Sequence, residues 1–226
     1  MAAETILHLD TTTARLHLAL SRNGEVLVEV CQPCQSHRYH SAVIVPAIQA
    51  LLQQADLTPQ CLTALAVNLG PGSFTGIRTG IITARTLAQF LKIPVYTFNA
   101  FELLAFEADA PVSVYIDALR SRAYMATLSF RANGPVYLQT PILKLLESGE
   151  MSGSASTLLI AETLRPLFGS DCSPQLISEA FSPVQPMLSL IARYGQRFQQ
   201  RWDAVKPLYV QEPSITLKSK PSKGLV

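Results

Sequence analysis

Thr5-Ile-Leu-His-Leu-Asp10 and Val112-Ser-Val-Tyr-Ile-Asp117 decide the fold. Each is a short apolar run that ends in an aspartate, and the same succession of signals follows both. After Asp10, Leu16, Leu18 and Leu20 alternate with His17 and Ala19, and Asn23-Gly24 marks a hairpin turn. Val26, Val28 and Val30 then alternate with Leu27 and Glu29 in a third strand. After Asp117, Ala123 to Phe130 reads as a strand, Asn133-Gly134 as a second hairpin turn, and Val136 to Gln139 as the next strand. The first half continues with a helix over 38–55, a short buried strand over 64–68, a helix over 74–91 and a strand over 93–97. The second half continues with a short helix over 142–147, a strand over 157–161 and a long helix over 185–202.

The order β-β-β-α-β-α thus occurs twice, and an internal duplication of this kind constrains architecture strongly. Two such units back to back describe an α/β protein of actin-like, sugar-kinase-like (ribonuclease-H-like) fold with two lobes. The boundary falls near Ala108 to Pro111, which predicts an N-terminal lobe over 1–108 and a C-terminal lobe over 109–211. Residues 212–226, where Lys218, Lys220 and Lys223 stand among Pro, Ser and Gly, read as a flexible tail.

Bulk composition narrows the class. The 226 residues are 48% hydrophobic and 15% charged, which excludes a disordered chain. No apolar run reaches the ~18–20 residues of a bilayer span. Met1 to Asp10 shows no basic region followed by an apolar core, so no signal peptide is expected and a cytoplasmic location is. The net charge of +2 argues neither for nor against RNA, but the basic residues form no stripe, where a direct RNA-binding protein would usually show one. Cys31, Cys34, Cys61 and Cys172 are not expected to form disulfides in a cytosolic chain. Cys31 and Cys34 precede His37 and His40, a set that suggests zinc. In zinc fingers about a dozen residues separate the ligand pairs so that the chain can fold back, and that separation is missing here. No metal and no cofactor is expected.

Two loops carry candidate chemistry. Asp10, Thr11 and Thr12 place a carboxylate and two hydroxyls at the carboxyl end of a strand, where sheets of this type bind ligands. Such a turn holds a phosphate or a hydrated magnesium ion, or else Asp10 merely caps the turn. Gly70, Pro71, Gly72 and Ser73 join a strand to a helix, with Ser73 as an N-cap and Phe74, Thr75, Gly76 and Arg78 in the first turns. Exposed amides at a helix N-terminus attract anions, yet no Gly-Lys-Ser/Thr follows. Anion binding and tight packing explain this loop equally well.

Gly70-Pro-Gly-Ser-Phe-Thr-Gly-Ile-Arg78 is a highly specific run. With Asp10-Thr11-Thr12 before it, and Asp117-Ala118 with Tyr124 after it, the chain resembles the TsaB family, a glycoprotease-like group related to the catalytic subunit TsaD. The resemblance covers most of the chain to about Phe130 and resumes at Pro207-Leu-Tyr-Val210. It departs at His40-Ser41-Ala42, where the family commonly has His-Ser-Glu, and at Asp117-Ala118-Leu119, where it commonly has Asp-Ala-Arg. The resemblance implies a non-catalytic dimerisation subunit of the machinery that forms threonylcarbamoyladenosine beside the tRNA anticodon. Its partners would be a TsaD-like catalytic subunit and a small ATPase, with tRNA met only through the complex.

A competing reading is a weak nucleotide-binding ATPase or transferase of the same fold. Metal-dependent chemistry of that kind needs two histidines at i and i+4 on one helix. His37 and His40 have Ser41 and Ile44 at those positions. Ser156 to Leu164 also lacks the glycines that would pass an adenosine. Scaffold is therefore the preferred reading. Its partner surface is expected on the two helices of the first half. Gly76, Gly80, Ala84 and Ala88 make a ridge of small residues, and Val43, Ala47 and Ala50 form a second apolar face on the other helix. Symmetry lets the same surface form a homodimer when the sister subunit is absent.

Overall fold

The computed structural model describes residues 3–33, 39–106, 108, 110–146, 157–167, 174–178 and 181–210. The first sheet begins with β1 (Thr5–Asp10), β2 (Arg15–Arg22) and β3 (Glu25–Pro33), an antiparallel meander. Asn23 and Gly24 turn the first hairpin at φ of 52° and 85°, the left-handed pair that the Asn-Gly signal demands. Then come α1 (Tyr39–Gln54), β4 (Ala64–Asn68), α2 (Phe74–Leu91), β5 (Val95–Phe98) and α3 (Ala100–Ala105). The second sheet repeats the start with β6 (Val112–Asp117), β7 (Arg122–Arg131) and β8 (Gly134–Leu145), followed by β9 (Thr157–Ala161) and β10 (Gln175–Ile177). Last are α4 (Val184–Phe198) and β11 (Gln199–Gln200).

The duplication shows in the strand orders. The first sheet runs β11-β5-β4-β1-β2-β3 and the second β10-β9-β6-β7-β8. Leaving β11 aside, the second order is the first repeated, with β6 in the place of β1. In both, the first strand pairs antiparallel with the second and parallel with the fourth. The parallel pairing buries β1 on both faces, which is why Thr5 to Asp10 reads as an unbroken buried run. Leu7 and Leu9 join the core beneath α1 and α2, while Ile6 joins the core that Met187 and Leu190 of α4 fill.

Four local expectations differ from the structure. The helix expected over 142–147 is strand: Ile142 to Leu145 continue the β8 ladder opposite Met125 to Arg122. Cross-strand pairing over twelve residues outweighs a weak helical pattern in a short apolar stretch. The short helix α3 was not foreseen, although Asn99 and Glu102 form a full capping box. The last helix stops at Phe198 rather than 202, with Tyr194 already off helical geometry. Beyond it, Gln199 and Gln200 pair with Tyr96 and Val95. Finally, α4 and β11, placed by sequence order in the second lobe, pack on the first sheet. The expected tail over 212–226 lies outside the described residues.

Candidate functional site

Asp10 is buried at the end of β1, and its own chain engages its carboxylate. Oδ1 accepts hydrogen bonds from the Thr12 amide at 2.8 Å and the Thr12 hydroxyl at 2.7 Å. Oδ2 accepts from the Asn68 side-chain amide at 2.9 Å. Asn68 in turn accepts from the Gly70 amide at 3.0 Å, and the Thr12 carbonyl accepts from the Ser73 amide at 2.6 Å. Thr11 donates its hydroxyl to the Gly76 carbonyl at 2.7 Å. Ser73 caps α2 by accepting from the Gly76 amide at 3.3 Å. The turn after β1 and the Gly70–Ser73 loop are thus stitched together. Of the two explanations of this loop, the geometry fits tight packing. A Cβ on Gly72 would run into the Thr12 carbonyl, so the chain approaches too closely here for any other residue.

The rest of the run holds the closing segment. Arg78 donates through Nε to the Tyr209 hydroxyl at 3.1 Å, and its guanidinium lies 4.0 Å over the Phe74 ring. Phe74 packs on Tyr209 at 5.4 Å between centroids, and the Leu208 amide donates to the Leu69 carbonyl at 2.9 Å. Pro71, Gly72, Tyr124 and Leu208 line a small cavity at this seam. Thr75 is exposed, and its carbonyl accepts from Thr79. Asp117 stands apart from this network. It accepts from the Leu119 amide at 2.6 Å and the Thr163 hydroxyl at 2.8 Å, below a turn in which Leu119, Arg120 and Ser121 have φ of 64°, 55° and 54°.

The helix faces correct the expected partner surface. Gly76, Gly80, Ala84 and Ala88 are all buried, and a Cβ on Gly80 would strike Thr11. The ridge is inner packing. A four-residue step advances about 400° at about 100° per residue, so such a row drifts about 40° each time. Gly76 to Ala88 therefore share one arc with Ile77 and Ile81, which pack on the same core. The face left open on α2 is Phe74, Arg78, Ile82, Thr86 and Phe90, with Ile82 62% and Phe90 77% exposed. On α1, Val43 and Ala47 are half-buried against the core. Ala42, Val45, Pro46 and Ala50 are exposed, Val45 by 54%.

Sequence reasoning missed a polar knot where the halves meet. Asn99 and Glu102 cap α3 reciprocally, and Tyr137 of β8 donates to Asn99 at 3.0 Å. Burial pushes the Glu102 carboxyl up to about 7, against the hydrogen bonds from Asn99 that lower it. The signal that would have found it is Asn-x-x-Glu after a strand. His8, buried in β1 with Nε2 2.8 Å from the Ser21 hydroxyl, is lowered to about 3 by burial. No cluster of three metal-ligand side chains occurs among the described residues. Cys34, His37 and the His40 side chain lie outside them.

Comparison with known proteins follows this geometry. The family described as TsaD, tRNA N6-adenosine threonylcarbamoyltransferase, matches residues 31–134. The tRNA threonylcarbamoyladenosine biosynthesis protein TsaB of Bacillus subtilis is 35% identical over 130 residues, 56% of each chain. TsaB of Escherichia coli is 32% identical over 136 residues, 57% of each. The match spans little more than half the length of these relatives. YeaZ from Pseudomonas aeruginosa superimposes with a TM-score of 0.73 at 23% identity, covering 91% of this chain and 99% of that one. The fold is a two-lobed, actin-like α/β fold shared with YeaZ. Within that class, the chain is similar over about half its length to proteins named TsaB.

Proposed function

We propose that this chain is a non-catalytic scaffold in tRNA threonylcarbamoyladenosine formation, pairing with a TsaD-like catalytic subunit. The observation that carries the reading is the Asp10 carboxylate. It occupies the strand end where this fold would hold a ligand, and Thr12 and Asn68 already take both its oxygens. A carboxylate so engaged by its own chain serves as an anchor for the loop. The relatives' names supply the pathway; in the proposed reading a small ATPase joins the same complex, and tRNA is met only through it. The partner surface is the open side of α1 and α2, centred on Ile82, Phe90 and Val45. Large apolar side chains left exposed on neighbouring helices are where a protein partner is expected.

The test is co-purification with the TsaD-like subunit from the same source. Ile82→Glu and Phe90→Ser should abolish association while circular dichroism and melting stay near wild type. Ala84→Trp, by contrast, should unfold the chain. Retained association in both surface variants would place the interface elsewhere. Threonylcarbamoyl transfer by the purified chain alone, lost in a folded Asp10→Asn variant, would overturn the scaffold reading itself.

A further inference from the structure

Asp10, His17 and Cys31 stand in one row across the first sheet. Asp10 is the register partner of His17, and His17 that of Cys31. Residues directly opposed on neighbouring antiparallel strands point to the same face, so carboxylate, imidazole and thiol lie in line. The inner end of the row is closed, since Asp10 is buried and both its oxygens accept hydrogen bonds. The outer end is open, because Cys31 is an exposed free thiol. Its sulfur lies 3.5 Å from His17 Nε2 and 3.4 Å from the Arg15 guanidinium. His17 is only 4% exposed, and its Nδ1 has no hydrogen-bond partner. Burial holds the imidazole below its ordinary pKa; the charges of Asp10 and Glu29 raise it and that of Arg15 lowers it further. Burial thus favours the neutral ring, and Nε2 is the ring nitrogen that faces the thiol.

We propose that Cys31 is a reactive thiol, a site of S-thiolation by low-molecular-weight disulfides, with His17 as its base. His17 Nε2 takes the Cys31 proton. The sulfur attacks one sulfur of RS–SR, and a new Cys31–SR bond forms as the old S–S bond breaks. The leaving thiolate recovers the proton from His17 and departs as RSH, so one thiol and one disulfide are consumed and one of each is formed. Arg15 stabilises the transient thiolate, as a cation beside sulfur does. The reaction does not depend on the scaffold reading.

Cys61 supplies a demanding internal control. It is exposed too, and hydrogen bonds from Thr58 hold its thiol below the ordinary range, but Thr58 offers no base. The folded wild-type chain is treated with dithiobis(nitrobenzoate) at neutral pH, and peptide mass mapping follows each cysteine. Cys31 should react ~10-fold faster than Cys61, an acceleration in keeping with a histidine-activated thiol. His17→Gln should cancel that advantage and leave Cys61 unchanged. Equal rates at Cys31 and Cys61 in the wild type overturn the proposal, as does an unaltered Cys31 rate in folded His17→Gln. If that variant does not fold, the wild-type comparison decides alone.

Discussion

Asp10 and Asp117 end equivalent strands of a duplicated fold, and the two halves use them in opposite ways. Asp10 is buried, and three donors from Thr12 and Asn68 fix the turn after β1 against the loop before α2. Asp117 is half-buried and, among the described residues, binds its own turn and Thr163. The turn after it needs three successive left-handed residues, none of them glycine. Topological equivalence thus fixes where a carboxylate sits and leaves its task to the neighbours. In the first half, Asn68 and the Gly70–Ser73 loop make it a structural anchor; in the second no counterpart of that loop reaches Asp117 among the described residues.

The sharpest way to break the contrast is substitution at both aspartates. Asp10→Ala strands the Thr12 and Asn68 donors in a buried site and should cost about 4 kcal/mol in urea unfolding. Asp117→Ala should cost less than about 1 kcal/mol, because water replaces what is lost at a partly exposed turn. Equal losses would mean that the two turns are equally structural.

A second test acts where the halves touch. The Glu102 carboxyl, raised by burial to about 7 in the folded chain from its ordinary 4.5, keeps its proton in the folded state over a range where the unfolded chain has lost it. Its contribution is fully present below about pH 4.5, declines as pH rises and is gone above about 7. Glu102→Gln keeps the cap and cannot ionise. Relative to wild type it should gain roughly 3 kcal/mol between pH 4.5 and 8, read as the difference of two urea titrations. A flat difference would show that Glu102 ionises freely. Smaller still is Gly80→Ala, which presses a methyl on Thr11 while Thr11 is tied to Gly76; a loss of about 2 kcal/mol is expected from overpacking. A neutral outcome would mean that the loop of the first half yields, and the contrast with the second would blur.

Much of the fold was legible from residues. Period-2 alternation, two Asn-Gly turns and two strand-terminal aspartates report local and cross-strand chemistry, and both meanders lie where those signals put them. The misses share a cause: they depend on what lies across space. Ile142 to Leu145 are strand because Met125 to Arg122 are beside them. Phe198 ends a helix because β5 offers an edge to Gln199 and Gln200. At the candidate site, the pattern located Asp10, Gly70–Ser73 and Arg78 but left open what they hold, since Thr12 and Tyr209 compete for them only once the chain is folded. The ridge from Gly76 to Ala88 was placed on the wrong side because spacing alone does not say which arc of a helix faces the sheet.

The return of α4 and β11 to the first sheet also sets a timetable for synthesis. Val95 and Tyr96 leave the ribosome about a hundred residues ahead of Gln199 and Gln200, their partners on that side. At bacterial or eukaryotic elongation speeds of about 5–20 residues per second, the edge of β5 waits unpaired for roughly 5–20 s. Throughout that interval Ile6, Ala64 and Phe98 lack the cover that Met187, Leu190 and Phe198 later provide. The nascent first half consequently carries an uncovered apolar face and an open strand edge until α4 emerges, and its native packing forms only once residues 184–200 have been made.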